Sequence, residues 1–152
     1  MFQTVIIAGG LATRLWPETK TIPKSLINVF GKPFIDWQLT LLKEKGMSEV
    51  LLCVGYLGEQ IEDFVGNGNK WNLNVSYSYE GEQLLGTGGA LRNALSKLND
   101  TFFIIYGDSY LPINYKNVLE SFKKSNEPAL MTVYKNNGQF DKIIHRKYLD
   151  VS

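Results

Sequence analysis

Apolar runs of β type recur along the chain: TVIIA at 4–8, EVLLCVG at 49–55, NVSYSYE at 74–80, TFFIIYGD at 101–108 and ALMTVY at 129–134. Rich in branched and aromatic residues and bounded by turn formers, they predict five strands. The first, second and fourth are continuously apolar, which suits strands covered on both faces of a mostly parallel sheet. NVSYSYE alternates instead and predicts a strand nearer an edge.

Helical spacing fills the gaps. In KPFIDWQLTLLKEKG the residues Phe34, Trp37, Leu41 and Leu42 recur at helical intervals, Pro33 suits a first turn, and Gly46 predicts a stop after Lys45. GEQIEDFVG predicts a shorter helix with Ile61, Phe64 and Val65 on one side. TGGALRNALSKLND predicts another, striped by Leu91, Leu95 and Leu98, and NYKNVLESFKKS a fourth. Strands alternating with helices define an α/β fold around a mainly parallel central sheet.

Length changes the picture little: 152 residues, 44% hydrophobic, fit a single domain over 1–152 that can bury a core. Charge excludes more. With 16 Lys+Arg against 15 Asp+Glu there is no chain-wide field for nucleic acid or an acidic membrane surface, so anion recognition has to be local. The single cysteine, Cys53, lies inside an apolar run and reads as core packing. The start of the chain lacks the features of a signal peptide and no run reaches the ~18 apolar residues of a membrane span, so the expected location is cytoplasmic.

Chemistry concentrates where strands end. The first strand runs into Gly9-Gly10 and the fourth into Gly107-Asp108; in open α/β sheets ligands bind beyond such carboxyl ends. Glycines let backbone N–H groups approach an anion, Arg14 can fork onto phosphate oxygens, and Lys24 follows Pro23 with a second positive charge. Together they read as a phosphate cradle. It is neither a P-loop, since G-x-x-x-x-G-K-[ST] is absent, nor the dinucleotide fingerprint, since no third glycine opens a helix after Gly9-Gly10. The polar stretch behind the glycines is long for a connection, and such loops are usually functional.

The stretch AGGLATRLWPETKTIPKSLINVFGKPFIDW resembles the signature of the sugar-1-phosphate nucleotidylyltransferases, roughly G-G-x-G-T-R-L-x-P-x-T-x-x-x-P-K-P-[LM] followed by a G-K-P turn. EGEQLLGTGGALRNAL resembles that family's base-binding segment and YGDSYL its metal-binding strand end. The resemblance covers about residues 3–134, and LGTGGAL is closest in look to the heptose- and hexose-1-phosphate guanylyltransferase-like branch.

The resemblance implies a Rossmann-like nucleotide-diphospho-sugar transferase fold and a reaction between a nucleoside triphosphate and a sugar 1-phosphate, giving an NDP-sugar and pyrophosphate for polysaccharide biosynthesis. It implies catalytic roles for Arg14 and Lys24, nucleotide binding by Ala8, Gly9, Gly10, Glu80, Gly86, Thr87 and Gly88, and Mg²⁺ at Asp108. No nucleic-acid or membrane partner is expected, and a homo-oligomer is left open.

Three departures qualify the match. Ala12 stands where the pattern has its third glycine, so a positive φ there would be strained. Ser25 replaces the proline after the lysine. Residues 135–152 diverge or are cut, and neither Asp141 nor Asp150 sits in a recognisable second metal motif. The rival expectation is therefore a nucleotide-binding module without the sugar half. His145 has no partner pattern.

Overall fold

Four of the five predicted strands form one sheet. The computed structural model describes residues 2–81 and 85–133. Its contacts separate two units, with the boundary after Ile113. The first contains β1 (Gln3–Ala8), a short hairpin of β2 (Asn28–Val29) and β3 (Lys32–Pro33), α1 (Phe34–Glu44), β4 (Glu49–Val54), α2 (Gly58–Val65), β5 (Asn74–Tyr79), α3 (Gly86–Asn93) and β6 (Phe102–Tyr106). The sheet order is β5-β4-β1-β6 and every neighbouring pair is parallel.

Parallel neighbours need crossovers, which the helices supply. The chain steps from β1 outward to β4 and β5, then returns to place β6 on the other side of β1. Right-handed crossovers running in opposite directions put α3 on the face opposite α1 and α2. The packing agrees: Val5, Leu51 and Cys53 meet Ala90 and Ala94 in one buried cluster. The alternate residues Ile6, Val50, Leu52 and Val54 are also buried, so the central strands are covered on both faces. Cys53 is core, and burial first, then the charge of Glu80, pushes its thiol up to about 11.

β5 lies at an edge, as its alternation predicts, but β6 departs from expectation. It borders only β1 among the described residues, and Ile104 and Tyr106 are exposed although the run is continuously apolar. In α1 Leu41 and Leu42 are buried as expected, together with Ile35, Gln38 and Leu39, while Phe34 and Trp37 are half-buried. α3 is shorter than its pattern. It ends at Asn93, whose amide donates to Ser78 Oγ (3.2 Å) and the Tyr79 carbonyl (2.8 Å), and a 3₁₀ turn over Leu95–Lys97 leaves Leu95 exposed. Residues 129–133 of the fifth predicted strand are irregular and residue 134 lies outside the described residues. Among the described residues no strand pairs with them, and apolar composition alone does not complete a strand's hydrogen bonds.

The second unit contributes α4 (Tyr115–Ser125). Asn114 caps it by accepting from the Asn117 N–H, and Asn126 closes it in the left-handed region. No helix of the described residues is long and apolar enough to cross a membrane.

One ion cluster around the buried Asp36 fixes the start of α1. Asp36 accepts from Lys70 Nζ (2.6 Å), Lys32 Nζ (3.2 Å) and Trp71 Nε1 (3.2 Å). Trp37 Nε1 in turn donates to the Val29 carbonyl (2.8 Å), tying the hairpin to the helix. Burial pushes the Asp36 carboxyl up, but the bonds from Lys70, Trp71 and Lys32 outweigh it and hold the group at about 2. A depressed value means that Asp36 stabilises the fold above the ordinary carboxylate range and loses that contribution as pH falls toward 2. Asp36→Asn is expected to cost on the order of 1–2 kcal/mol at neutral pH, discounted for the exposed Lys70. Urea unfolding as a function of pH checks this: the wild-type advantage over the variant should shrink between about pH 4 and pH 2.

Candidate functional site

The strand order places a site before any side chain is considered. Connections leave β1 toward β4 on one side, while β6 on its other side is reached from the opposite direction, so the order reverses between β1 and β6. At such a switch point the loops diverge and leave a crevice at the carboxyl ends. A cleft of about 330 Å³ lies there. Ile7 to Gly10 come from the end of β1, Ala12, Arg14, Lys24 and Ser25 from the following loop, Glu80, Gly86 and Thr87 from between β5 and α3, and Tyr106 to Asp108 from the end of β6.

Backbone contacts set its floor. The Gly107 N–H donates to the Ile7 carbonyl (2.8 Å), and a Cβ on Gly107 would fall 2.9 Å from that oxygen and 3.1 Å from Ala8 Cβ. A Cβ on Gly55, just after β4, would meet the Gly9 carbonyl at 2.9 Å. A Cβ on Gly9 would overlap Glu80 Oε1, so the carboxylate lies directly against the glycine backbone. Glu80 Oε2 accepts from the Leu85 N–H (2.9 Å), which orients that carboxylate at the entrance to α3.

The long loop after β1 is folded into three 3₁₀ turns, Thr13–Leu15, Glu18–Lys20 and Lys24–Leu26. Ala12 adopts φ 49° and ψ 41°, so the alanine takes up the left-handed conformation that glycine would adopt without strain. Its carbonyl accepts from the Leu15 N–H and from Oγ1 of fully buried Thr19, both at 2.9 Å. Tyr56 Oη donates to the Lys20 carbonyl (2.7 Å) and Gln60 Nε2 to that of Thr21 (3.0 Å), which fastens the loop to the segment around α2.

Across the cleft Lys24 Nζ and Asp108 Oδ2 form an ion pair of 2.8 Å, both half exposed. Arg14 has no ion-pair partner among the described residues. A pair as exposed as Lys24 and Asp108 is worth only about 0–1 kcal/mol and exchanges readily for a better partner. Among the described residues no cluster of three or more metal-ligating side chains occurs. Mg²⁺ is commonly held by one or two carboxylates plus phosphate oxygens and water, so Asp108, a hard and half-exposed oxygen donor lining the cleft, fits the ion in that mode.

The structure thus brings Ala8, Gly9, Gly10, Arg14, Lys24, Glu80, Gly86, Thr87 and Asp108 to one cleft. Gly88 is different: it lies further into α3, outside the lining, and a side chain there would enter open space. Tyr79 turns away and donates to Glu62 Oε2. Asp141, His145 and Asp150 lie outside the described residues. Sequence reasoning misses Gly55, although its signal, a glycine directly after an apolar strand, is the one that marks Gly9 and Gly107.

Comparison with known proteins agrees with this fold. The nucleotidyl transferase family model matches residues 3–139. N-acetylmuramate alpha-1-phosphate uridylyltransferase of Neisseria meningitidis is 38% identical over 74% of this chain and 49% of its own length. D-glycero-alpha-D-manno-heptose 1-phosphate guanylyltransferase of Campylobacter jejuni is 32% identical over 92% of this chain and 60% of its own length. The crystal structure of HddC from Yersinia pseudotuberculosis complexed with GMP-PN superposes with a TM-score of 0.70 at 37% identity, covering 80% of this chain and 54% of that one. The chain therefore spans about half the length of the relatives it matches.

The left-handed Ala12 yields a direct test of the loop. Ala12→Gly relieves the Cβ clash of that conformation, about 1–2 kcal/mol, partly offset by the greater freedom of glycine in the unfolded chain. A net gain of about 0.5–1 kcal/mol, seen as a raised thermal midpoint, is expected; a lowered midpoint would show that the alanine is not strained.

Proposed function

Because the chain belongs to the nucleotidyl transferase family, we propose that its cleft binds a nucleoside triphosphate and serves transfer of a nucleotidyl group to a sugar 1-phosphate. The observation that carries the reading is the convergence of two glycine-bordered strand ends, at Gly9-Gly10 and Gly107, with Arg14 and Lys24 at the switch point. In the reaction a phosphate oxygen of the sugar phosphate bonds to the α-phosphorus, the bond from that phosphorus to the bridging oxygen breaks, and pyrophosphate leaves. No covalent enzyme intermediate is needed, so the protein's task is alignment and charge neutralisation.

The residues divide that task. Backbone N–H groups of the Gly9-Gly10 turn and the Arg14 guanidinium suit the β- and γ-phosphates, which depart together. Lys24 leaves Asp108 for the phosphates near the reacting centre. Asp108 would hold Mg²⁺, which would supply charge neutralisation for the phosphates. The carboxylate of Glu80 accepts hydrogen bonds, so a base with adjacent N–H donors suits it, and guanine presents two on its Watson–Crick edge.

The experiment is a calorimetric titration with GTP, UTP, dTTP and ATP, followed by a pyrophosphate-release assay with a panel of sugar 1-phosphates. Micromolar binding with GTP strongest, and release only when a sugar phosphate is present, supports the proposal. Binding without release leaves the nucleotide-binding module, and no binding of any triphosphate removes both readings.

Two substitutions separate the charges. Arg14→Ala loses a charge-assisted bond worth on the order of 1.5–3 kcal/mol, and should weaken tripolyphosphate binding without lowering the thermal midpoint. Asp108→Asn is expected to act in opposite directions. Without metal it frees Lys24 and strengthens tripolyphosphate binding by up to about fivefold, while in Mg²⁺ it removes the metal-conferred tightening. Parallel calorimetry with EDTA and with Mg²⁺ reads both signs.

A further inference from the structure

The structure assigns a positioning role to Gln38: we infer that its buried amide holds the turn bearing Asp108 in the orientation that lets the carboxylate receive Mg²⁺ with the bound phosphates. This rests on the reading of Asp108 as the metal ligand given above, and deepens it.

Gln38 is anomalous where it stands. It occupies the apolar stripe of α1 with Ile35, Leu39 and Leu42, and is 3% exposed. An apolar side chain would fill that place without desolvating an amide. Instead Nε2 donates to two carbonyls, Tyr106 (3.1 Å) and Ser109 (2.8 Å), while Oε1 is buried without a hydrogen-bond partner. Two facing acceptors require the nitrogen on that side, so the orientation of the amide is determined by its surroundings.

Those two carbonyls bracket Gly107 and Asp108. The turn between them is closed by the Ser109 N–H donating to the Tyr106 carbonyl (3.0 Å), and its other side is pinned by the Gly107 N–H on the Ile7 carbonyl (2.8 Å). The backbone under Asp108 is thus gripped by its own turn, by β1 and by one side chain from α1. Among the described residues the Asp108 carboxylate has only the exposed contact with Lys24, which has to break when phosphates arrive. Once that contact breaks, the direction of the carboxylate depends on the backbone, and of the three grips only Gln38 reaches beyond Asp108 to Ser109 from outside the turn. Groups that orient a metal ligand typically account for about 10–100-fold in metal affinity.

The test uses the whole chain, inorganic tripolyphosphate and Mg²⁺. Gln38→Met keeps the length and removes the donors; Gln38→Glu, nearly isosteric, places oxygen against the two carbonyls and serves if the first variant folds poorly. Affinity for tripolyphosphate is measured by calorimetry in EDTA and in Mg²⁺, with thermal melts alongside, in wild type, the Gln38 variants, Asp108→Asn and the double variant. The expected result is unreduced affinity in EDTA, loss of the Mg²⁺-conferred tightening by about tenfold or more, and no further loss when Gln38→Met is added to Asp108→Asn. Equal loss with and without Mg²⁺ would reduce Gln38 to a packing residue and overturn the proposal. So would metal-conferred tightening that Asp108→Asn abolishes and Gln38→Met leaves intact. If Asp108→Asn itself leaves the Mg²⁺ effect unchanged, the metal assignment fails and takes this inference with it.

Discussion

Backbone must meet backbone where β1, β4 and β6 end, and the rest of the site follows from that constraint. Gly107 lies against Ile7 and Ala8, and Gly55 against Gly9. In each case a Cβ would fall about 3 Å or less from a neighbouring atom. Removing side chains lets strand ends that are already adjacent in the sheet stay adjacent past their last ladder bond. It also keeps side chains out of the crevice that the strand order has opened. The cations are then added from loops, which need only reach over a floor already set.

The opposite charges in the cleft have a shared logic. Lys24 and Asp108 neutralise each other across it, which keeps two opposite charges from standing unpaired. Exposure keeps their pairing weak, so a ligand bringing both charges at once displaces it at small cost. The stronger ionic contacts are placed elsewhere. Asp36, gripped by Lys32, Lys70 and Trp71, secures the start of α1, and the same helix then delivers Gln38 to the turn below Asp108.

Much of this was legible in the sequence because its signals are local. Gly9-Gly10 after an apolar run, Arg14 and Lys24 in a long polar loop, and Gly107-Asp108 after another apolar run each declare themselves within a few residues. The alternation of NVSYSYE likewise showed a strand nearer an edge. What the sequence did not show depends on distant partners. Gln38 reads as a polar interruption of an apolar helix face until a turn some seventy residues later supplies two carbonyls. TFFIIYGD has the composition of a fully buried strand, yet the exposure of Ile104 and Tyr106 is decided by what lies beside them. Gly88 belongs to the same motif as Gly86 and Thr87, but one further helical step carries it out of the cleft lining.

The central claim is that the ligand sits at the β1/β6 switch point, and amide NMR of the isotopically labelled chain titrated with a non-hydrolysable GTP analogue tests it most directly. The account predicts that the largest shift changes fall on the amides of Gly9, Gly10, Gly107 and Asp108 and on the loop through Lys24, with little change at the opposite strand ends near Gln3, Glu49 and Phe102. Changes centred on those opposite ends, or spread evenly over the sheet, would contradict it.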